Sequence, residues 1–155
     1  MNPELKEFIK QHFFRNKRVL DLGSGDNADI LSLEKQGWFA QGVDIKTGTD
    51  LNDVYVSPHK PFDLVISNYV IQKLKTPKSL VETISQNLAK NGCFFVQTFH
   101  ISDKYTHRGY STKELKNLFD GAQWVGVNTR QFTVDDEEDG HNHRHEVLEI
   151  TGKKI

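Results

Sequence analysis

A short apolar run, Val19-Leu20-Asp21-Leu22, stops abruptly at Gly23-Ser24-Gly25, and a helical pattern begins at Ala28. This order constrains the chain more than any other feature in it. A brief run rich in Val and Leu suits a strand buried on both faces of a parallel sheet. Glycines just beyond such a strand let the backbone turn sharply and approach a neighbour closely. Ile30, Leu31 and Leu33 then continue as a helix that closes at Gly37. Phe39–Ile45 and Phe62–Ser67 read as further strands, Pro77–Leu88 as a helix and Cys93–Thr98 as a strand. Strands alternating with helices predict an α/β fold, parallel through its first strands. Pro3–Arg15 is a helix capped by Asn2, and Ser111-Thr112-Lys113-Glu114 is a capping box ahead of a short helix. Val125–Val134 and Glu146–Lys153 alternate without an intervening helix, which predicts an antiparallel hairpin at one edge. Lys46–Pro61 is irregular, with one short strand or turn expected at Thr49–Leu51. Asp135–His145 reads as an acidic, His-rich loop.

The glycine segment fits G-x-G-x-x-G/A as Gly23-Ser24-Gly25-Asp26-Asn27-Ala28. Asp44 lies 21 positions after Gly23, at the end of the second strand. A carboxylate there can accept both hydroxyls of a ribose, so the pattern points to an adenosine-containing ligand. Asp21 separates a nicotinamide dinucleotide from S-adenosylmethionine. A buried carboxylate repels a pyrophosphate and favours the cationic methionyl end of the latter. The alternative for Asp21 is a carboxylate bonded by loop N–H groups.

Composition removes other classes. Lys and Arg total 20 against 21 Asp and Glu, so no global field steers the chain to nucleic acid or anionic lipid. One cysteine, Cys93, excludes an intrachain disulfide framework, and its position predicts a core residue. Charges at Glu4, Lys6 and Glu7 interrupt the N-terminal segment where a signal peptide needs an apolar run. The expectation is a cytoplasmic domain with no nucleic-acid or membrane partner.

The segments VLDLGSGDNADILSLEKQGWFAQGVDI, FDLVISNYVIQKL and LVETISQNLAKNGCFFVQTF resemble the successive motifs of class I S-adenosylmethionine-dependent methyltransferases. The likeness runs from Arg18 to Phe99. The ending GHNHRHEVLEITGKK is similar to the last strand of the small tellurite-resistance and thiol methyltransferases. The resemblance implies a Rossmann-like three-layer sandwich with a mostly parallel seven-stranded sheet and an antiparallel hairpin at one edge. Residues 1–155 then form a single domain: an N-terminal helix over 1–16, a cofactor-binding half over 18–99, and an acceptor side with closing strands over 100–155. It implies that Asp21, Gly23, Ser24 and Gly25 face the methionyl end. Asp44 takes the ribose, Ile45 packs on adenine, and Asp50 and Leu51 meet the adenine amino edge. Asn68 and Tyr69 lie beside the sulfonium. Lys73-Leu74 departs from the His-Leu or His-Ile pair of many members.

The acceptor side is read from histidines. His100 follows the fifth strand of the family's sheet, where open α/β sheets bind ligands. His141, His143 and His145 alternate and so share one face of a strand. The preferred reading places one or two of them in the acceptor pocket, giving His100, His143 and Tyr69 as the candidate catalytic residues and no metal ligands. A metal-binding protein built on the HNHRH segment is the rival from another class. A second rival holds S-adenosylmethionine without transferring methyl, or serves as a subunit of a larger enzyme. The short stretch after Phe99 favours a small-molecule acceptor, with a homodimer or partner protein as a source of missing elements.

Overall fold

Asn2 starts the first helix as its sequence predicts: the side-chain oxygen accepts from the N–H groups of Glu4 and Leu5 at 3.0 and 3.1 Å. The computed structural model describes residues 1–137 and 142–155. His141 therefore lies outside the described residues. Helix α1 spans Pro3–His12, ending earlier than its apolar spacing predicts. Then come β1 (Arg18–Leu22), α2 (Ala28–Lys35), β2 (Phe39–Val43), β3 (Phe62–Asn68), α3 (Pro77–Asn87) and β4 (Leu88–Phe99). The chain closes with α4 (Thr112–Leu118), β5 (Trp124–Asp136) and β6 (His143–Lys154).

The strand order is β2-β1-β3-β4-β6-β5. The first four are parallel, β6 runs antiparallel to β4, and β5 runs antiparallel to β6. Alternation along the strands builds two cores. Val19, Leu64, Ile66, Cys93 and Phe95 face Leu5 and Phe8 of α1 and Leu33 of α2. Leu20, Leu22, Val65, Phe94, Val96, Leu148 and Ile150 face α3 and α4 on the other side. The result is the expected three-layer sandwich. The face of Val19 also carries Asp21, Asn68, Gln97, Phe99 and Glu149 toward the carboxyl ends of the parallel strands.

The sheet has six strands among the described residues, not the seven that the resemblance implies. Thr49–Leu51 contains no strand, and a turn begins at Leu51. The physical reason lies in α3. Tyr55 N–H donates to Thr83 Oγ1 and Ser57 N–H to Asn87 Oδ1, while Asn87 Nδ2 donates to the Tyr55 carbonyl. Side chains one helical turn apart thus satisfy an extended backbone that would otherwise need a strand neighbour. Asn87 is fully buried. Asn87→Ala strands one N–H and one C=O, so a loss of roughly 3 kcal/mol is expected. Thermal denaturation should show a fall of roughly 10 °C; a change within about 1 or 2 °C would contradict this account.

The acidic, His-rich segment is also more ordered than a loop. The hairpin ladder continues to Asp136, which pairs in register with His143. Complementary charge supports the extension: Arg144 donates to Asp135 at 2.9 Å across the strands.

Candidate functional site

The turn after β1 is held from two sides. Gly23 and Ser24 donate their N–H groups to the Val43 carbonyl at the end of β2. Gly25 N–H donates to Asp44 Oδ2 at 2.9 Å, and Lys46 N–H donates to Asp44 Oδ1 at 3.0 Å. These two backbone donors hold the Asp44 carboxyl below the usual carboxylate range. Each oxygen keeps acceptor capacity, because a carboxylate offers about four lone-pair sites. Gly23 has φ +84°, and a Cβ there would sit 2.2 Å from Val70 Cγ2. The glycine is required both by conformation and by contact.

Gly23, Gly25, Asp44, Ile45, Asp50, Leu51, Asn68 and Tyr69 line one cleft of about 560 Å³, together with Val70, Lys73 and Leu74. Ile45 is exposed and offers an apolar surface, whereas Leu51 is mostly buried beneath. Asp50 Oδ1 already accepts from the backbone and side chain of Asn52. The Ser24 side chain turns away from the cleft: its Oγ lies 2.5 Å from where a Cβ on Gly42 would stand. Ser24 therefore shapes the turn through its backbone.

Asp21 sits below the glycine turn and is 4% exposed. Among the described residues its carboxylate accepts no hydrogen bond, and the N–H groups of the glycine turn go instead to Val43 and Asp44. Burial, with Asp29 and Asp44 adding like charge, pushes its pKa up to about 8. Asn68 Nδ2 donates to Asp29 Oδ2 at 3.3 Å, while buried Asn68 Oδ1 has no partner. Asp29 thus holds the Asn68 amide, while the Asn68 carbonyl and the buried Asp21 carboxylate on the same sheet face lack a donor. Their chemistry calls for a cation that also donates hydrogen bonds. Asp29 was not legible as a site residue, since it reads as an ordinary first-turn acid of α2.

Tyr69 follows Asn68 with φ +60°, a conformation uncommon outside glycine. Burial, assisted by Glu4, Glu149 and Asp103, pushes the phenol up to about 12. It stays neutral at physiological pH and so keeps a proton to donate. The Tyr69 ring packs on Phe99 at 4.9 Å, and Phe99 packs on His145 at 5.0 Å. Tyr105 stacks on His143 at 4.2 Å and meets His145 at 5.6 Å. A continuous run of rings therefore joins Tyr69 to His143 and His145. His100 stands outside it: Nδ1 is 2.7 Å from Ser102 Oγ. Buried Asp103 accepts from His145 Nδ1 at 3.0 Å, a pairing 42 residues apart that no local pattern announces. Cys93 is buried in the α1-side core, and burial raises its thiol pKa.

A glycine turn after the first parallel strand, a carboxylate after the second and a cation-seeking floor define a Rossmann-like domain of the class I methyltransferase type. The sequence model of a methyltransferase domain family matches residues 1–125. The chain belongs to that methyltransferase family. No curated protein sequence matches it. Solved structures share the fold. TehB from Haemophilus influenzae aligns with a TM-score of 0.77 at 15% identity, over 100% of this chain and 63% of that one. The 1,6-didemethyltoxoflavin-N1-methyltransferase of Burkholderia thailandensis, solved with S-adenosylhomocysteine, gives 0.74 at 18%, over 99% and 77%. An S-adenosylmethionine-dependent methyltransferase of Methanosarcina mazei gives 0.76 at 12%, over 100% and 98%. The chain thus spans less than two thirds of the TehB chain. Among the described residues, no helix is long and apolar enough to cross a membrane.

Proposed function

We propose that this domain binds S-adenosylmethionine and transfers its methyl group to a small-molecule acceptor. The observation that carries the reading is a cleft that presents Asp44 and Asn68, whose Oδ1 has no partner, with buried Asp21 on the same sheet face of the neighbouring strand. When bound, S-adenosylmethionine supplies an electrophilic methyl on a sulfonium, displaced in line by the acceptor. Asp21 and Asn68 Oδ1 hold the cationic methionyl end. Asp44 accepts from the ribose hydroxyls with the lone pairs left over from Gly25 and Lys46. Ile45 covers the adenine, with Asp50 and Leu51 at its edge. Tyr69 marks the methyl-transfer end and donates from its phenol. The acceptor side continues along Phe99 to His143 and His145, with His100 at the end of β4.

Such a cleft orients rather than activates. A soft or ionised acceptor then needs no general base. The Burkholderia relative, named for a small-molecule substrate, supports a small acceptor. Near-neutral charge supports a reading without nucleic acid, and the lone buried Cys93 supports a cytoplasmic setting. A second copy or another protein is the proposed source of any further acceptor-side wall.

Isothermal titration with S-adenosylhomocysteine is expected to show one site with micromolar affinity. No heat of binding at millimolar ligand would overturn the reading. Release of S-adenosylhomocysteine in a screen of small acceptors then separates a transferase from a domain that only holds the cofactor.

A further inference from the structure

We propose that Asp136, His143 and His145 form a divalent transition-metal site, with Zn²⁺ as its natural occupant, on the tip of the β5–β6 hairpin. The ladder places all three on one face: Asp136 pairs with His143, and His145 pairs with Val134, two residues before Asp136. Alternate residues project together, so the two imidazoles lie beside the carboxylate. One ligand atom from each of the three lies within 4.8 Å of the others.

Three further observations favour an ion over a simple polar cluster. The first is the partner of His145. Asp103, with a side chain wholly shielded from solvent, takes Nδ1 at 3.0 Å and also accepts from Glu146 N–H at 3.1 Å. A carboxylate bonded to one imidazole nitrogen fixes the tautomer and presents the other nitrogen as a metal ligand. The second is a distance. His145 Nε2 lies 3.4 Å from Asp136 Oδ2, long for a charged hydrogen bond. Two ligands about 2.1 Å from a tetrahedral ion stand about 3.4 Å apart. The third is rigidity. Tyr105 stacks on His143 at 4.2 Å, and the two imidazoles meet edge to face at 5.4 Å, so both rings are oriented before any ion arrives.

Two neutral imidazoles and one carboxylate suit Zn²⁺ and leave a coordination position open. Phe99 packs against both His145 and Tyr69, so a chain of ring contacts joins the site to the proposed acceptor side. The ion would hold an electron-rich acceptor group there. The metal site itself does not depend on the methyl-transfer reading, because it is assayed without cofactor or acceptor.

The test is titration of the untagged chain with Zn²⁺ by calorimetry, and with Co²⁺ by visible absorption. One Zn²⁺ per chain is expected, with a dissociation constant below about 10 µM, and with tetrahedral d–d bands for Co²⁺. Asp136→Asn and His143→Ala, at a half-exposed hairpin tip, should each weaken binding by at least about 10-fold while the metal-free protein still unfolds cooperatively. Asp103→Asn should weaken it about 10- to 100-fold through His145. His59→Ala, beside Phe39 at the opposite end of the sheet, should leave it unchanged. No binding at about 100 µM Zn²⁺, or binding that survives the Asp136→Asn and His143→Ala pair, would overturn the site. In that event His145 only bridges Asp103 and Asp136 by hydrogen bonds.

Discussion

Asp21→Asn is expected to stabilise the ligand-free protein in alkaline solution while weakening its hold on S-adenosylmethionine. Burial raises the Asp21 pKa from 3.8 to about 8. Between those values the folded chain retains a proton that the unfolded chain has released. Stability therefore falls as pH rises through that window, and the cost is complete above about pH 8. The cost amounts to several kcal/mol, since every tenfold change in proton affinity is worth about 1.4 kcal/mol. Asparagine has nearly the same shape and carries no charge. At about pH 8.5 the variant should melt about 10 °C above the parent, and the gap should close toward about pH 4. Binding moves the other way. A cationic ligand rewards the ionised carboxylate, so affinity for S-adenosylmethionine should rise between about pH 6 and 8.5 in the parent and stay flat in the variant. A pH-independent melting difference, or equal affinities in both proteins, would contradict the role given to Asp21.

Asp44→Ala should lower affinity for S-adenosylhomocysteine about 100-fold. Two hydrogen bonds from ribose hydroxyls to a charged acceptor are lost, each worth about 1.5–3 kcal/mol. The Gly25 N–H also loses its acceptor, which loosens the glycine turn. Asp44→Asn keeps one side-chain oxygen and should fall between the parent and Asp44→Ala. Calorimetry on the three proteins measures the series. An unchanged affinity in Asp44→Ala would show that the ribose lies elsewhere.

What the sequence made legible was local. The glycine turn and Asp44 were visible because strand, turn and helix occur in a fixed order with a fixed spacing. The caps at Asn2 and Ser111 were visible because both lie beside the helices they start. The missing seventh strand was hidden, because its place is taken by Thr83 and Asn87 on a helix some 30 residues later. The hairpin tip was hidden for another reason. Asp, Glu and His in succession have the composition of a solvated loop. Only the register of β5 against β6 turns them into facing rows. Asp29, Asp103 and His145 owe their roles to partners that lie far away in the chain, as with Asp29 and Asn68. No window of sequence contains both members of such a pair.

The polar residues on the α1 side of the sheet form a thread with its own consequence. Arg130 pairs with Glu149 at 3.1 Å, and Glu149 accepts from Gln97 at 3.0 Å. Gln97 accepts from the Asn2 side chain at 2.7 Å. The Asn2 backbone in turn donates to Asp29, which Asn68 also meets. The first turn of α1 is thus the clasp between the closing hairpin and the floor of the cleft. Asn68 is connected through Asp29 and Asn2 to the start of α1 and to strand β6. On the proposed reading, the cofactor site is thereby joined by hydrogen bonds to strands at the far side of the sheet.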